Sequence, residues 1–255
     1  MSFQQDNNKT TGVVVILSKI RVYFALLVIV IPVDTQADIL ESGYRADFKL
    51  YASGFLVAST TRHLIKLKDG MEYRTFTQPE GIAKWYTSDN LRELSRFKLD
   101  KTRVTAQSYR YHQTGDDGEK VVNIHFDHNL KKVRLSTETE VHPLHSESYD
   151  SLSFQIALMQ KLTRGETTMA VDIADQDGLY RYYAQVNETE NIQTEIGELK
   201  TLKVQMKNKS NGNLFTFWCA SKFNYLPVRI RLERQDSGID SILEITAFHA
   251  PLKLP

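Results

Sequence analysis

Apolar and polar residues alternate along most of this chain. Between Tyr44 and Tyr51, the side chains of Tyr44, Ala46, Phe48 and Leu50 fall on one side and those of Arg45, Asp47 and Lys49 on the other. This is the two-residue period of a half-buried strand. The period returns at Val122, Ile124 and Phe126, at Met169, Val171 and Ile173, at Tyr180, Tyr182, Ala184 and Val186, and at Leu202, Val204 and Met206. Leu226, Val228, Ile230 and Leu232 close the series, opposed by Arg229, Arg231 and Glu233. Short turn signals such as Asp69-Gly70 and Asp177-Gly178 separate the runs. Links this short join antiparallel neighbours. The pattern predicts about ten to twelve strands in a mainly β fold, a curved antiparallel up-and-down sheet or partial barrel.

One segment breaks the period. From Ser151 to Arg164 the apolar positions Leu152, Phe154, Ile156, Ala157, Leu158, Met159 and Leu162 follow helical spacing, with Asp150 placed to cap the first turn and Gly165 to end the last. A wide apolar arc predicts a helix covered on more than one side, inserted against the concave face of the sheet. The least patterned stretch of the body, Thr137 to Ser148, leads into it.

The first 37 residues belong to another class. Lys9, Lys19 and Arg21 precede an apolar run from Val22 to Val33, and Thr35-Gln36-Ala37 follows. That order of charge, apolar core and small residues reads as a secretory signal cut after Ala37. The run is short of the roughly 20 residues that a membrane helix needs, although retention as an N-terminal anchor is the alternative. The expected organisation is a signal peptide over 1–37 and a single β-rich domain over 38–255 in the periplasm. Cys219 is the only cysteine, so no internal disulfide forms. A domain of this size can bury enough surface to fold without one.

Taking Lys9, Lys19 and Arg21 from the 32 basic residues, and Asp6 and Asp34 from the 31 acidic ones, leaves 29 of each. A chain without net charge has no bulk attraction for nucleic acid, so no nucleic-acid partner is expected. Lys203, Lys207 and Lys209 share a strand face and read as a solvated or edge-blunting surface.

Candidate chemistry is sparse. His142, His145 and Glu147 lie close together, but neither the two-residue strand spacing nor the four-residue helix spacing of metal ligands is met, and Pro143 disfavours a helix. His125 and Asp127 read as a solvated strand end. No serine stands on a tight glycine turn, and Ser151 and Ser153 fit the start of the helix. Cys219 follows Phe217-Trp218 in an apolar strand, where a thiol is usually inert. No catalytic residue, metal site or cofactor is assigned.

The second half is rich in aromatic residues: Phe154, Tyr180, Tyr182, Tyr183, Phe215, Phe217, Trp218, Phe223 and Tyr225. They suit either an ordinary β core or an apolar cavity between sheet and helix. On the second reading Phe154 and Leu158 face Tyr182 and Trp218 across a ligand site.

Five short motifs carry a resemblance. They are Tyr44 with Gly54, Asp150-x-x-Ser153-Phe154-Gln155, Glu190-x-Ile192-x-Thr194-x-x-Gly197, Phe217-Trp218, and Leu226-Pro227-Val228-Arg229. In that order and spacing, over nearly all of Tyr44 to Thr246, the chain resembles a family of exported bacterial proteins known as domain of unknown function 3108. The resemblance implies an envelope location and supplies no activity. A curved sheet with an inserted helix also looks like the periplasmic lipoprotein carriers, an analogy of fold alone. The leading expectation is a non-enzymatic periplasmic protein that binds a lipid or another apolar envelope component. The alternatives are an envelope protein-interaction module using a sheet edge, and an enzyme acting on envelope glycan or lipid.

Overall fold

The computed structural model describes residues 38–250, apart from 117, 236, 237 and 239. The leader expected over 1–37 lies outside the described residues. One sheet of fifteen strands makes up most of the domain. The first meander runs through β1 (Tyr44–Ala52), β2 (Phe55–Leu67), β3 (Gly70–Pro79), β4 (Asn90–Leu99), β5 (Val104–Gly115), β6 (Gly118–Asp127), β7 (Lys132–Leu135) and β8 (Val141–Pro143). The second runs through β9 (Ser148–Asp150), β10 (Thr168–Asp175), β11 (Gly178–Thr194), β12 (Gly197–Asn208), β13 (Leu214–Ala220), β14 (Leu226–Glu233) and β15 (Asp240–His249). Three short strands, β7, β8 and β9, take the total above the number read from the alternation. Elements of three or four residues are too brief to show a period.

Within each meander, sequence neighbours are sheet neighbours. The meanders join where β1 pairs antiparallel with β15, from Arg45 opposite His249 to Ala52 opposite Ser241. The strands at the two ends of the order, β8 and β9, do not pair, so the sheet is open. They are nonetheless close, because only Leu144 to Glu147 connect them. A chain this short reaches at most about 18 Å, so the sheet must curl until its edges nearly meet. The side chain of His145 within this link bonds Asp172 on β10, Nδ1 to Oδ2 at 2.6 Å.

The inner face carries the core. Tyr44, Ala46 and Phe48 on β1, Val122, Ile124 and Phe126 on β6, and Val171 and Ile173 on β10 are all buried. Their phase is the one that the alternation predicts. Among the described residues β9 and β10 are the one parallel pair in the sheet, and they are joined through the helix α2 (Ser153–Thr163). Parallel strands need such a crossover.

Every residue of α2 from Ser153 to Leu162 is buried. The helix lies inside the curl, touching β4, β5 and β9 on one side and β14 on the other. It begins two residues later than its apolar pattern suggests, because Asp150, Ser151 and Leu152 form a turn. In that turn Asp150 Oδ1 accepts from the backbone amides of Leu152 and Ser153. Gly165, at φ +78°, ends it. Its amide donates to Leu162 O and that of Glu166 to Lys161 O, the paired bonds of a Schellman motif. Buried polar side chains of α2 are also satisfied: Gln160 Nε2 donates to Asp100 O at 2.6 Å, and Lys161 pairs with Glu147 and Glu166.

Candidate functional site

The curl is wider than its helix can fill. Where α2 starts, a cavity of about 410 Å³ separates Phe154 and Gln155 from the inner face of β11 to β15 and β1. Alternation supplies its apolar wall, with Tyr182 from β11, Met206 from β12, Phe215 and Phe217 from β13, and Ile230 from β14. Phe154 meets Phe217 edge-on, with ring centroids 5.9 Å apart, and Tyr182 meets Phe215 in the same way at 6.1 Å. Leu50, Phe215, Ile230, Leu232 and Leu243 are only half-buried although they point inward with the core. Apolar side chains left unburied inside a fold mark space, not packing.

The opposite wall is polar. Glu93 on β4 accepts from Tyr109 Oη at 2.6 Å, Thr75 Oγ1 at 2.9 Å and Ser151 Oγ at 3.4 Å. Burial beside this carboxylate pushes the Tyr109 phenol far above its ordinary range. Asp175 sits where β10 turns into β11. Burial raises its carboxyl to about 6, against the pull of amide donors from Asp177 and Gly178 and with repulsion from Asp177 and Glu93. Arg62 on β2 is 7% exposed, its guanidinium stacked 4.8 Å from the ring centroid of Phe48 and its Nη1 2.6 Å from Gln155 Oε1.

Of the four residues expected to line a ligand site, two meet here. Phe154 and Tyr182 face the cavity. Leu158, one turn further along α2, is fully buried in the core and is not part of the lining. Trp218 follows Phe217 and projects from the other face of β13, where its Nε1 donates to Glu190 Oε2 at 2.9 Å and Lys203 and Arg229 cover its ring. Arg62 escaped the sequence reading. Its signal was parity, since it shares the inward row of β2 with Ala58, Thr60 and Leu64.

The histidines of the 142–147 segment have separate partners. His142 Nε2 bonds Glu138 Oε2 at 2.5 Å, and His145 joins Asp172, which Arg181 also grips. Burial would raise the Asp172 carboxyl, but the bonds from Arg181 and His145 outweigh it and hold the carboxyl below its usual range. Among the described residues no group of three or more His, Cys, Asp or Glu is arranged to hold a metal ion. Cys219 is fully buried, and burial pushes its thiol far above its ordinary range.

A curled, open, mostly antiparallel sheet closed around one internal helix, with an apolar chamber beside that helix, defines a barrel-like class of β protein. Within it, this chain belongs to the family described as protein of unknown function (DUF3108), whose model matches residues 43–244. A solved structure from Brucella abortus, described as a beta-barrel-like protein of domain of unknown function DUF1849, is similar in fold. Its TM-score is 0.57 at 11% identity, covering 83% of this chain and 98% of that one. A DUF1089 family protein from Pseudomonas aeruginosa has a TM-score of 0.39 at 8% identity, over 70% of this chain and 87% of that one. No curated protein matches in sequence.

Proposed function

We propose that the protein is a non-enzymatic binder of an acyl-chain lipid that works in the bacterial periplasm. The observation that carries this reading is the half-buried apolar wall of Leu50, Phe215, Ile230, Leu232 and Leu243 around about 410 Å³ of interior space. That volume is in the range of small-molecule pockets. A chain of about 14 methylenes, at roughly 0.8 kcal/mol each, would gain about 11 kcal/mol before ordering costs, enough for micromolar affinity. The export reading rests on the leader pattern of residues 1–37. Among the described residues no helix is long and apolar enough to cross a membrane.

The sheet edges favour this reading over an interaction module that adds a strand. β8 and β9 are three residues each, and β8 ends in Pro143. Short, proline-bearing edges are poor templates for another strand.

The test is titration of the purified domain with a fluorescent fatty acid. Wild type should saturate with micromolar affinity. Ile230→Asp, which places a carboxylate in the apolar wall, should bind at least about tenfold more weakly while remaining folded by circular dichroism. A folded wild type that takes up no apolar probe overturns the proposal.

A further inference from the structure

Of the two arginines that line the cavity, Arg62 and Arg234, only Arg62 is buried. Arg62 is more than nine-tenths buried, and among the described residues no carboxylate lies within 4.0 Å of it. Among the described residues its one hydrogen bond runs from Nη1 to a neutral acceptor, Gln155 Oε1. Nε is buried without a partner, and Nη2 has none among the described residues. The two carboxylates lining the same space are engaged elsewhere: Glu93 by three hydroxyls, Asp175 by the amide of Asp177. A buried guanidinium left in this state is costly, and an unpaired buried donor adds to the cost. The edge without a hydrogen-bond partner, buried Nε with Nη2, has the fork geometry that matches two oxygens of one anion.

We infer that Arg62 anchors the head of the ligand, and that the ligand is a single-chain amphiphile with a two-oxygen anionic head, a carboxylate or a phosphate. This rests on the reading of the cavity as an acyl-chain site and specifies its substrate class. Gln155, on the first turn of α2, fixes the guanidinium by occupying Nη1, while Phe48 supports its face. The head then lies on the polar wall beside Gln155, and the chain runs along Phe215, Phe217 and Ile230.

Calorimetric titration with three ligands of one chain length provides the test: myristate, tetradecyl phosphate and tetradecanol. Wild type should bind at least one anion about tenfold or more tightly than the alcohol, the scale of a charge-assisted bidentate pair, and the tighter anion identifies the head. Arg62→Met should lose that preference and keep its affinity for tetradecanol. It should also fold, because replacing an unpaired buried charge by an apolar side chain of similar length removes a desolvation cost. Equal affinity of wild type for all three ligands overturns the assignment of Arg62 and leaves the acyl-chain reading standing. Failure of wild type to bind any of them overturns that reading itself. The wild-type comparison needs no variant, so neither outcome depends on whether Arg62→Met folds.

Discussion

The hydroxyl of Ser95 on β4 donates to Asp150 Oδ2 across 2.8 Å, with both side chains fully buried. A strand of the first meander thereby holds the carboxylate that starts the helix of the second. Asp150 also accepts from Ser153 Oγ at 2.6 Å and from the amides of Leu152 and Ser153. Burial pushes its carboxyl up, and these donors pull it back. Asp150→Ala takes the carboxylate from two buried hydroxyls and two amides, so urea denaturation should show a loss of about 2–4 kcal/mol. Asp150→Asn keeps an acceptor for the amides and should lose less than Asp150→Ala.

Asp175 should give the protein a pH dependence of a particular sign. Its folded pKa of about 6 lies above the unfolded value of about 3.9, so the folded state binds the proton more tightly. Stability from this group is greatest below about pH 4 and declines as pH rises to about 6. Asp175→Asn should therefore be more stable than wild type at pH 7, by on the order of 1 to 2 kcal/mol after allowance for partial solvent contact. Thermal melts across this range should show the gap closing toward pH 4.

Leu158 is fully buried, packed within the core and outside the cavity lining. Leu158→Ala should cost about 2–5 kcal/mol of folding stability. Titration of the folded variant with the fluorescent fatty acid should give an affinity close to that of wild type.

How far these positions were legible in the sequence follows from what periodicity can encode. Alternation assigns each strand residue to a face, and it placed Val122, Ile124 and Phe126 inside correctly. Gly165 ended the helix where expected because that cap is local chemistry, whereas Asp150 stands two residues ahead of the N-cap, Leu152, and holds the preceding turn instead. Alternation is silent on which strand lies beside which, so the pairing of Arg45 with His249 left no mark. The aromatic supply suited an ordinary core and a cavity alike, and of the four residues named for a cavity only Phe154 and Tyr182 line the one present. Applied strictly, the two-residue period separates Phe217 from Trp218, and only Phe217 faces the chamber. The same parity puts Arg62 in the inward row between Thr60 and Leu64, a position hidden because polar residues crowd both faces of β2.

Cys219 should be silent to thiol reagents in the folded state. It is fully buried and its thiol is held protonated by burial, whereas reaction requires an accessible thiolate. Labelling with a thiol-specific chromogenic reagent at pH 8 should be negligible in buffer and should reach one equivalent in urea. Rapid labelling of the native protein would show that β13 opens locally.

The pairing of β1 with β15 sets an order of events as the sheet assembles. As the chain emerges from its amino end, β1 appears before any other strand of the sheet and β15 after the other fourteen. Until then one flank of the nine-residue β1 is a bare row of amides and carbonyls in the middle of the future sheet. The first meander thus has to wait for the second with an adhesive edge exposed, the condition under which strands find wrong partners. Release of the ten residues of β15 closes that seam and joins the two meanders. Vulnerability to misassembly is greatest while the chain is still incomplete, before this last strand arrives.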